Sequence, residues 1–165
     1  MILVLDASPL ITLARIQRLD VLPLLADTIY IPEAVYVESV TQAGDRPGHS
    51  DIAHAEWIGR RQVNDQARVT RLRTQIGWGE AEAIVLVQQL HADAVVLDDA
   101  TARRVAEQEG CAVVGLLGLL VDGKRRGLIP AVTPLLDAMR EARFYIADDL
   151  YAVILRQAGE DTLLR

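Results

Sequence analysis

Two short apolar runs, each ending in aspartate, are the feature that most constrains the fold of this chain. Residues 2–5 read ILVL before Asp6, and residues 94–97 read AVVL before Asp98 and Asp99. Continuous apolar runs of this length are typical of parallel strands that helices cover on both faces. Segments with helical spacing follow each run, so strands are predicted to alternate with helices. This alternation predicts an α/β layer fold with a mostly parallel sheet.

The remaining elements are predicted from local signals. Ser8 and Pro9 stand where the first helix would be capped and entered. TIYIP at residues 28–32 predicts a second strand, followed by a helix over EAVYVESV. ARVTRL at residues 67–72 predicts a short strand, and GWGEAEAIVLVQQL at 77–90 predicts a buried helix.

The C-terminal part is predicted to contain one more strand and then helices. TARRVAEQEG forms a helix closed by Gly110, and CAVVG forms the strand. From Leu116 onward the spacing predicts three helices, and either Asp148 or Asp149 is expected to cap the last of them.

The composition limits the classes of protein that the chain can belong to. With 165 residues, of which 51% are hydrophobic, we expect a single domain over residues 1–165. The longest apolar run, 111–121, is shorter than the roughly 18 residues of a membrane span, so no contact with a membrane is expected. The N-terminus does not resemble a secretory signal, and the single cysteine, Cys111, favours a reducing compartment. We therefore expect a cytoplasmic protein.

The charge pattern allows only local contacts with nucleic acid. A net charge of −6 argues against a surface devoted to phosphate binding. Nearly all positive charges are arginines in small groups, however, and the guanidinium fork matches phosphate oxygens. Arg103 and Arg104, in the helix after Asp99, are candidates for contact with a substrate phosphate.

Acidic residues follow or open several of the predicted elements. Asp6, Asp98 and Asp99 follow strands, and the carboxyl ends of parallel strands meet at one edge of the sheet, where function gathers. Glu38 lies in the helix after the second strand, and Glu80 and Glu82 open the buried helix. Since positions two apart point to nearly opposite sides of a helix, one of these two glutamates is expected to face the others.

Such convergence needs charge compensation. Two carboxylates about 4 Å apart repel each other by roughly 4 kcal/mol at an effective dielectric constant of about 20. Mg²⁺ and Mn²⁺ prefer sites built from carboxylate oxygens, and either ion would cancel the charge. An ion in this setting activates water and binds phosphate oxygens, which is the chemistry of phosphodiester hydrolysis.

The sequence resembles the PIN-domain nucleases, and within them the VapC-like branch of the DUF3368 type. The likeness depends on Asp6 and Ser8 after the first strand, Glu38 in the next helix, the motifs GEAEAI and LDD, and the closing LYAVILRQAGE. It covers nearly the whole chain. It implies a three-layer α/β/α sandwich with a mostly parallel central sheet.

The resemblance also implies an activity and a set of site residues. By similarity the chain is a Mg²⁺- or Mn²⁺-dependent endoribonuclease, a toxin with a small antitoxin partner, and a homodimer. Ser8 would support the first metal ligand. The acid of the buried helix is either Glu80 or Glu82, and the last acid is either Asp98 or Asp99, so the metal ligands are drawn from one set: Asp6, Glu38, Glu80, Glu82, Asp98 and Asp99. The residues expected to be catalytic are Asp6, Glu38, Glu82 and Asp99.

One alternative remains open from the sequence. The same fold with a degenerate site would act as a non-catalytic module that binds RNA or protein. The presence of every expected acid favours the nuclease.

Overall fold

The computed structural model describes residues 1–161 and contains a sheet of five parallel strands. The last four residues of the predicted domain, 162–165, lie outside the described residues. The spatial order of the strands is β3-β2-β1-β4-β5. In chain order the strands are β1 (Ile2–Leu5), β2 (Thr28–Pro32), β3 (Ile58–Arg61), β4 (Ala94–Val96) and β5 (Val113–Val114). The predicted parallel α/β fold is confirmed.

Helices cover both faces of the sheet. The ten α-helices of the described chain are α1 (Ala7–Arg15), α2 (Leu22–Leu25), α3 (Glu33–Tyr36), α4 (His49–Ala53), α5 (Gln66–Leu72), α6 (Trp78–Gln89), α7 (Ala100–Gln108), α8 (Leu116–Arg125), α9 (Thr133–Glu141) and α10 (Asp148–Ala158). A 3₁₀ turn spans Leu19–Val21, and α3 continues as a π-helical turn over Val37–Thr41.

The central strand shows why the chain forms three layers. In β1, Leu3 and Leu5 pack into one apolar cluster with α1, α8 and α9, whereas Val4 packs into a second cluster with α5, α6 and α7. Alternate side chains of a strand point to opposite faces, so a strand covered on both faces is apolar at every position. The predicted α/β/α sandwich is confirmed.

The prediction of a strand over residues 67–72 is wrong, because this segment lies in helix α5. The carboxylate of Asp65 accepts a hydrogen bond from the Arg68 N–H (3.0 Å) and caps the helix. Val69 and Leu72 are buried and stand three apart, which suits one face of a helix. The strand at this place in the chain order is β3, and its sequence, IGRR, has too few apolar residues to predict an edge strand.

Two predicted helix caps are also corrected. Helix α1 begins at Ala7, so Asp6 occupies the N-cap position and Ser8 lies inside the first turn. Helix α10 begins after Ala147, and Asp148 forms an ion pair with Arg140 (2.9 Å) instead of capping the helix. A sequence pattern places the start of a helix only to within one or two residues, so it does not distinguish the capping residue from the first turn.

The strand order places a switch point at the centre of the sheet. From β1 the chain moves outward to β2 and β3, and it then returns to the other side of β1 to form β4 and β5. Helices α1, α3 and α7 begin beyond the carboxyl ends of β1, β2 and β4. In open parallel sheets this is where ligands bind. Across residues 1–161, no helix is long and apolar enough to cross a membrane.

Candidate active site

Asp6 lies at the carboxyl end of the central strand and is 7% exposed. Its backbone N–H donates to the Val96 carbonyl oxygen of β4 (3.2 Å), which fixes the residue at the switch point. Burial raises the pKa of the carboxyl from 3.8 to about 7, and the negative charges of Glu80 and Glu38 act in the same direction. The first N–H groups of α1, from Ala7 and Ser8, partly oppose the increase. The ionised form of this carboxyl group is therefore disfavoured in the folded protein.

Glu38 meets Asp6 over a glycine of helix α6. A methyl group on Gly79 would lie 3.1 Å from Asp6 Oδ1 and 3.2 Å from Glu38 Oε2. Two carboxylate oxygens from separate elements thus approach the same point above the α6 backbone. The π-helical turn at Val37–Thr41 carries Glu38, and such turns are frequent at functional sites. Only glycine leaves this space open.

Glu80 and Asp99 extend the acidic cluster on the other side. Burial raises the pKa of Glu80, and the charges of Asp99 and Glu38 raise it further. Glu80 Oε2 accepts a hydrogen bond from the Gly77 N–H (2.8 Å), and Asp99 Oδ1 accepts one from the Ala102 N–H (2.9 Å). Each carboxylate therefore caps its own helix with one oxygen. Glu80 and Asp99 also line one open, polar depression together.

Glu82 is buried and both of its oxygens have hydrogen-bond donors. It is 3% exposed, and its two oxygens accept hydrogen bonds from the Ala34 N–H (2.8 Å) and from Trp78 Nε1 (3.2 Å). The first of these bonds ties α6 to the start of α3, the helix that leads to Glu38. The charge of Glu80 raises the pKa of Asp6, whereas both oxygens of Glu82 already accept hydrogen bonds from N–H donors.

The two adjacent aspartates after β4 point to different partners. Asp98 Oδ1 accepts a hydrogen bond from the Leu116 N–H at the start of α8 (2.8 Å), and Asp98 interacts with Arg103. Asp99 is the one whose charge reaches Glu80. Ser8 is exposed in the first turn of α1 and lines a groove with Asp98.

Of the two arginines predicted to contact phosphate, Arg103 lies beside the acidic cluster and Arg104 does not. Arg103 donates from Nη1 to the Leu97 carbonyl oxygen (3.3 Å), so its guanidinium lies against the end of β4. Arg104 is exposed on α7. Arg73, which was not among the predicted contacts, lines the same depression as Glu80 and Asp99. The only sequence signal for Arg73 was its position five residues before α6, the helix that carries Glu80.

The donor set fits a hard divalent cation in its chemistry. The converging atoms are carboxylate oxygens, which Mg²⁺ and Mn²⁺ prefer, and the space above Gly79 is open to them. Burial and the neighbouring carboxylates raise the pKa of Asp6, and a bound cation would oppose that rise. Within residues 1–161, no group of three or more His, Cys, Asp or Glu side chains is close enough to hold an ion as it stands. Binding would therefore need side-chain rotation to bring a third oxygen to the converging pair.

A family model described as PIN domain, DUF3368, matches residues 2–160. The chain belongs to the PIN-domain family. PIN domains are generally nucleases that use divalent metal ions, and the acidic cluster of this PIN domain lies at the carboxyl edge of its central strands. No curated protein matches the chain significantly. The predicted membership of this family is confirmed, whereas placement in the VapC-like branch stays a prediction.

Proposed function

We propose that this PIN-domain protein is a Mg²⁺- or Mn²⁺-dependent endoribonuclease that hydrolyses phosphodiester bonds of RNA. The observation that carries the proposal is the approach of Asp6 and Glu38 to one point above Gly79. Two ionised carboxylates in that position are unfavourable unless a proton neutralises one or a cation joins them, and above about pH 7, where Asp6 ionises, a cation is the effective partner. Family membership supports the same chemistry.

Four residues are proposed to hold the ion: Asp6, Glu38, Glu80 and Asp99. When bound, the ion lowers the pKa of a coordinated water and neutralises charge on a phosphate oxygen. Asp6 and Glu38 present their oxygens from rigid elements, the end of β1 and the π-helical turn. Glu80 and Asp99 each cap a helix with one oxygen and keep the other free, and rotation of either side chain would bring that free oxygen to the converging pair.

Neighbouring residues have supporting roles in this proposal. Glu82 positions α3 through the Ala34 N–H and thereby Glu38. Asp98 fixes the start of α8 and orients Arg103. Among the cations, Arg73 is best placed to contact a substrate phosphate, because it lines the depression that contains two of the acids.

The test is cleavage of a labelled single-stranded RNA by EDTA-treated protein, with and without Mn²⁺ or Mg²⁺, and with a single-stranded DNA of the same sequence beside it. We expect cleavage of RNA only with the ion, and losses of at least about a hundredfold in Asp6→Asn and Glu38→Gln. Arg156→Ala, an exposed substitution on α10, serves as the matched control. Activity that survives unchanged in Asp6→Asn would refute the proposal.

A non-catalytic module that binds RNA or protein is the second candidate. The observation in its favour is that no three potential ligands in the described part of the chain stand ready to hold an ion. Isothermal titration of Mn²⁺ into the EDTA-treated protein separates the two. A site saturating at micromolar to millimolar ion supports the nuclease, whereas no binding together with no cleavage supports the module.

We further propose that the protein is a cytoplasmic toxin with a small antitoxin partner and that it forms a homodimer. The resemblance to the VapC-like branch supports this role. Exposed apolar side chains near the C-terminal helix, Tyr145, Leu150 and Val153, offer contact area for a protein partner. Expression alone is expected to arrest growth, and co-expression with the adjacent small reading frame is expected to restore it. Light scattering then reports the mass of the isolated protein.

A further inference from the structure

A cavity of about 340 Å³ adjoins the acidic cluster on the side of Glu38. It lies between α1, the π-helical turn and α4, and the loop over residues 42–48 closes it. Gly48 holds this loop in place, since it has φ of +91° and packs directly against Ala14 of α1. Small-molecule pockets begin at about this size. The cavity can therefore hold one group of the size of a nucleotide.

The inner wall of the cavity contains a hydroxyl group without a partner. Ser39 is 1% exposed, and its Oγ is the one buried side-chain polar atom in residues 1–161 that lacks a hydrogen bond. Buried hydroxyls are nearly always paired, so this hydroxyl, on a residue that lines the cavity, keeps its donor and acceptor capacity unused by the protein. Around it the wall is apolar, formed by Ile11, Ala43 and Ile52.

The exposed rim of the cavity carries positive charge. Arg46 lines it and is exposed, whereas the guanidinium of Arg15, which also lines it, stacks on the Phe144 ring and donates to the Ala142 carbonyl oxygen (3.3 Å). His49 bonds through Nδ1 to the Arg46 carbonyl oxygen (2.7 Å), which fixes the ring at the edge. Glu38 lines the same cavity and also meets Asp6 above Gly79. The cavity thus shares Glu38 with the acidic cluster, and Arg46 at its rim is placed to contact phosphate.

We propose that this cavity binds one unpaired nucleotide of the RNA substrate, next to the bond that is cleaved, and that the Ser39 hydroxyl discriminates among the bases. The inference rests on the proposed function. An apolar wall suits the face of a base. A base that forms no hydrogen bond with the buried Ser39 hydroxyl is expected to bind more weakly than one that does. Arg46 at the rim suits the phosphate. A cationic side chain of a protein partner would be repelled by the same rim.

The direct test is titration of AMP, CMP, GMP and UMP into EDTA-treated protein, followed by protein-detected NMR. We expect shifts of the Ala43 and Ile52 resonances and affinities that differ among the four bases by tenfold or more. Ser39→Ala should compress that difference by roughly fivefold, and Arg46→Ala should weaken all four nucleotides alike. Thr70→Ala and Arg156→Ala, both exposed and distant from the cavity, are the matched controls.

The second readout is the sequence preference of cleavage on a pool of short RNAs in Mn²⁺. Ser39→Ala should relax the preference at one position beside the cut. Nucleotides that leave the cavity resonances unmoved, or a base preference unchanged in Ser39→Ala, would overturn the inference even if RNA is cleaved. Nucleotide binding in the cavity without any cleavage would uphold the site and refute the ribonuclease.

Discussion

Replacing Asp6 with asparagine is expected to stabilise the metal-free protein while it abolishes cleavage. The carboxyl is 7% exposed, and its pKa rises from 3.8 to about 7 on folding. Each pKa unit corresponds to about 1.4 kcal/mol. The ionised group therefore lowers the free energy of unfolding by about 4 kcal/mol above pH 7. Asparagine keeps an oxygen facing the Ala7 and Ser8 N–H groups and carries no charge.

The sign of the pH dependence follows from proton binding. Between about pH 4 and pH 7 the folded state binds more protons at Asp6 than the unfolded state does, so the stability of the wild type decreases as the pH rises. Below about pH 4 both states are protonated, and the charge has no effect. The advantage of Asp6→Asn is thus expected to be below about 2 kcal/mol at pH 5 and near its full value at pH 8.5.

The assay is urea denaturation of EDTA-treated wild type and Asp6→Asn at both pH values, repeated with Mn²⁺. The ion should stabilise the wild type at pH 8.5 and should have much less effect on the variant. Asp65→Asn is the matched control, because Asp65 caps α5 away from the cluster and asparagine caps equally well. An Asp6→Asn protein no more stable than the wild type at pH 8.5 would refute the reasoning.

Three further predictions concern the same region. Gly79→Ala should weaken Mn²⁺ binding at least tenfold by calorimetry, because its methyl group fills the space of the converging oxygens; unchanged affinity would contradict this. Glu82→Ala should lower the unfolding free energy by roughly 1–3 kcal/mol, because it leaves the Ala34 N–H unpaired. Glu80→Gln should mainly weaken ion binding. If instead Glu80→Gln lowered the stability and Glu82→Ala weakened ion binding, the two roles would have to be exchanged. Gly48→Ala should lower the melting temperature, since its φ is +91° and α1 leaves no room for a methyl group; an unchanged melting temperature would argue against it.

Much of the fold was predictable because its core strands are apolar at every position. The runs before Asp6 and Asp98 predicted β1 and β4, and Thr28–Pro32 was predicted with its observed bounds. Helix α5 and strand β3 were not predictable in this way. Arg68 and Arg71 hide the helical spacing of α5, and β3 is an edge strand whose exposed half tolerates polar residues.

The sequence by itself determined which elements end in acidic residues, and therefore that Asp6, Glu38 and the pairs at 80/82 and 98/99 would gather at one sheet edge. Only the tertiary structure showed that the members of each pair have different surroundings. Glu82 is turned toward the Ala34 N–H, and Asp98 toward the start of α8. The physical reason is that sequence periodicity indicates which face of a helix is buried. The hydrogen-bond partner of each carboxylate oxygen depends on how the helices pack against one another, which the sequence pattern does not show.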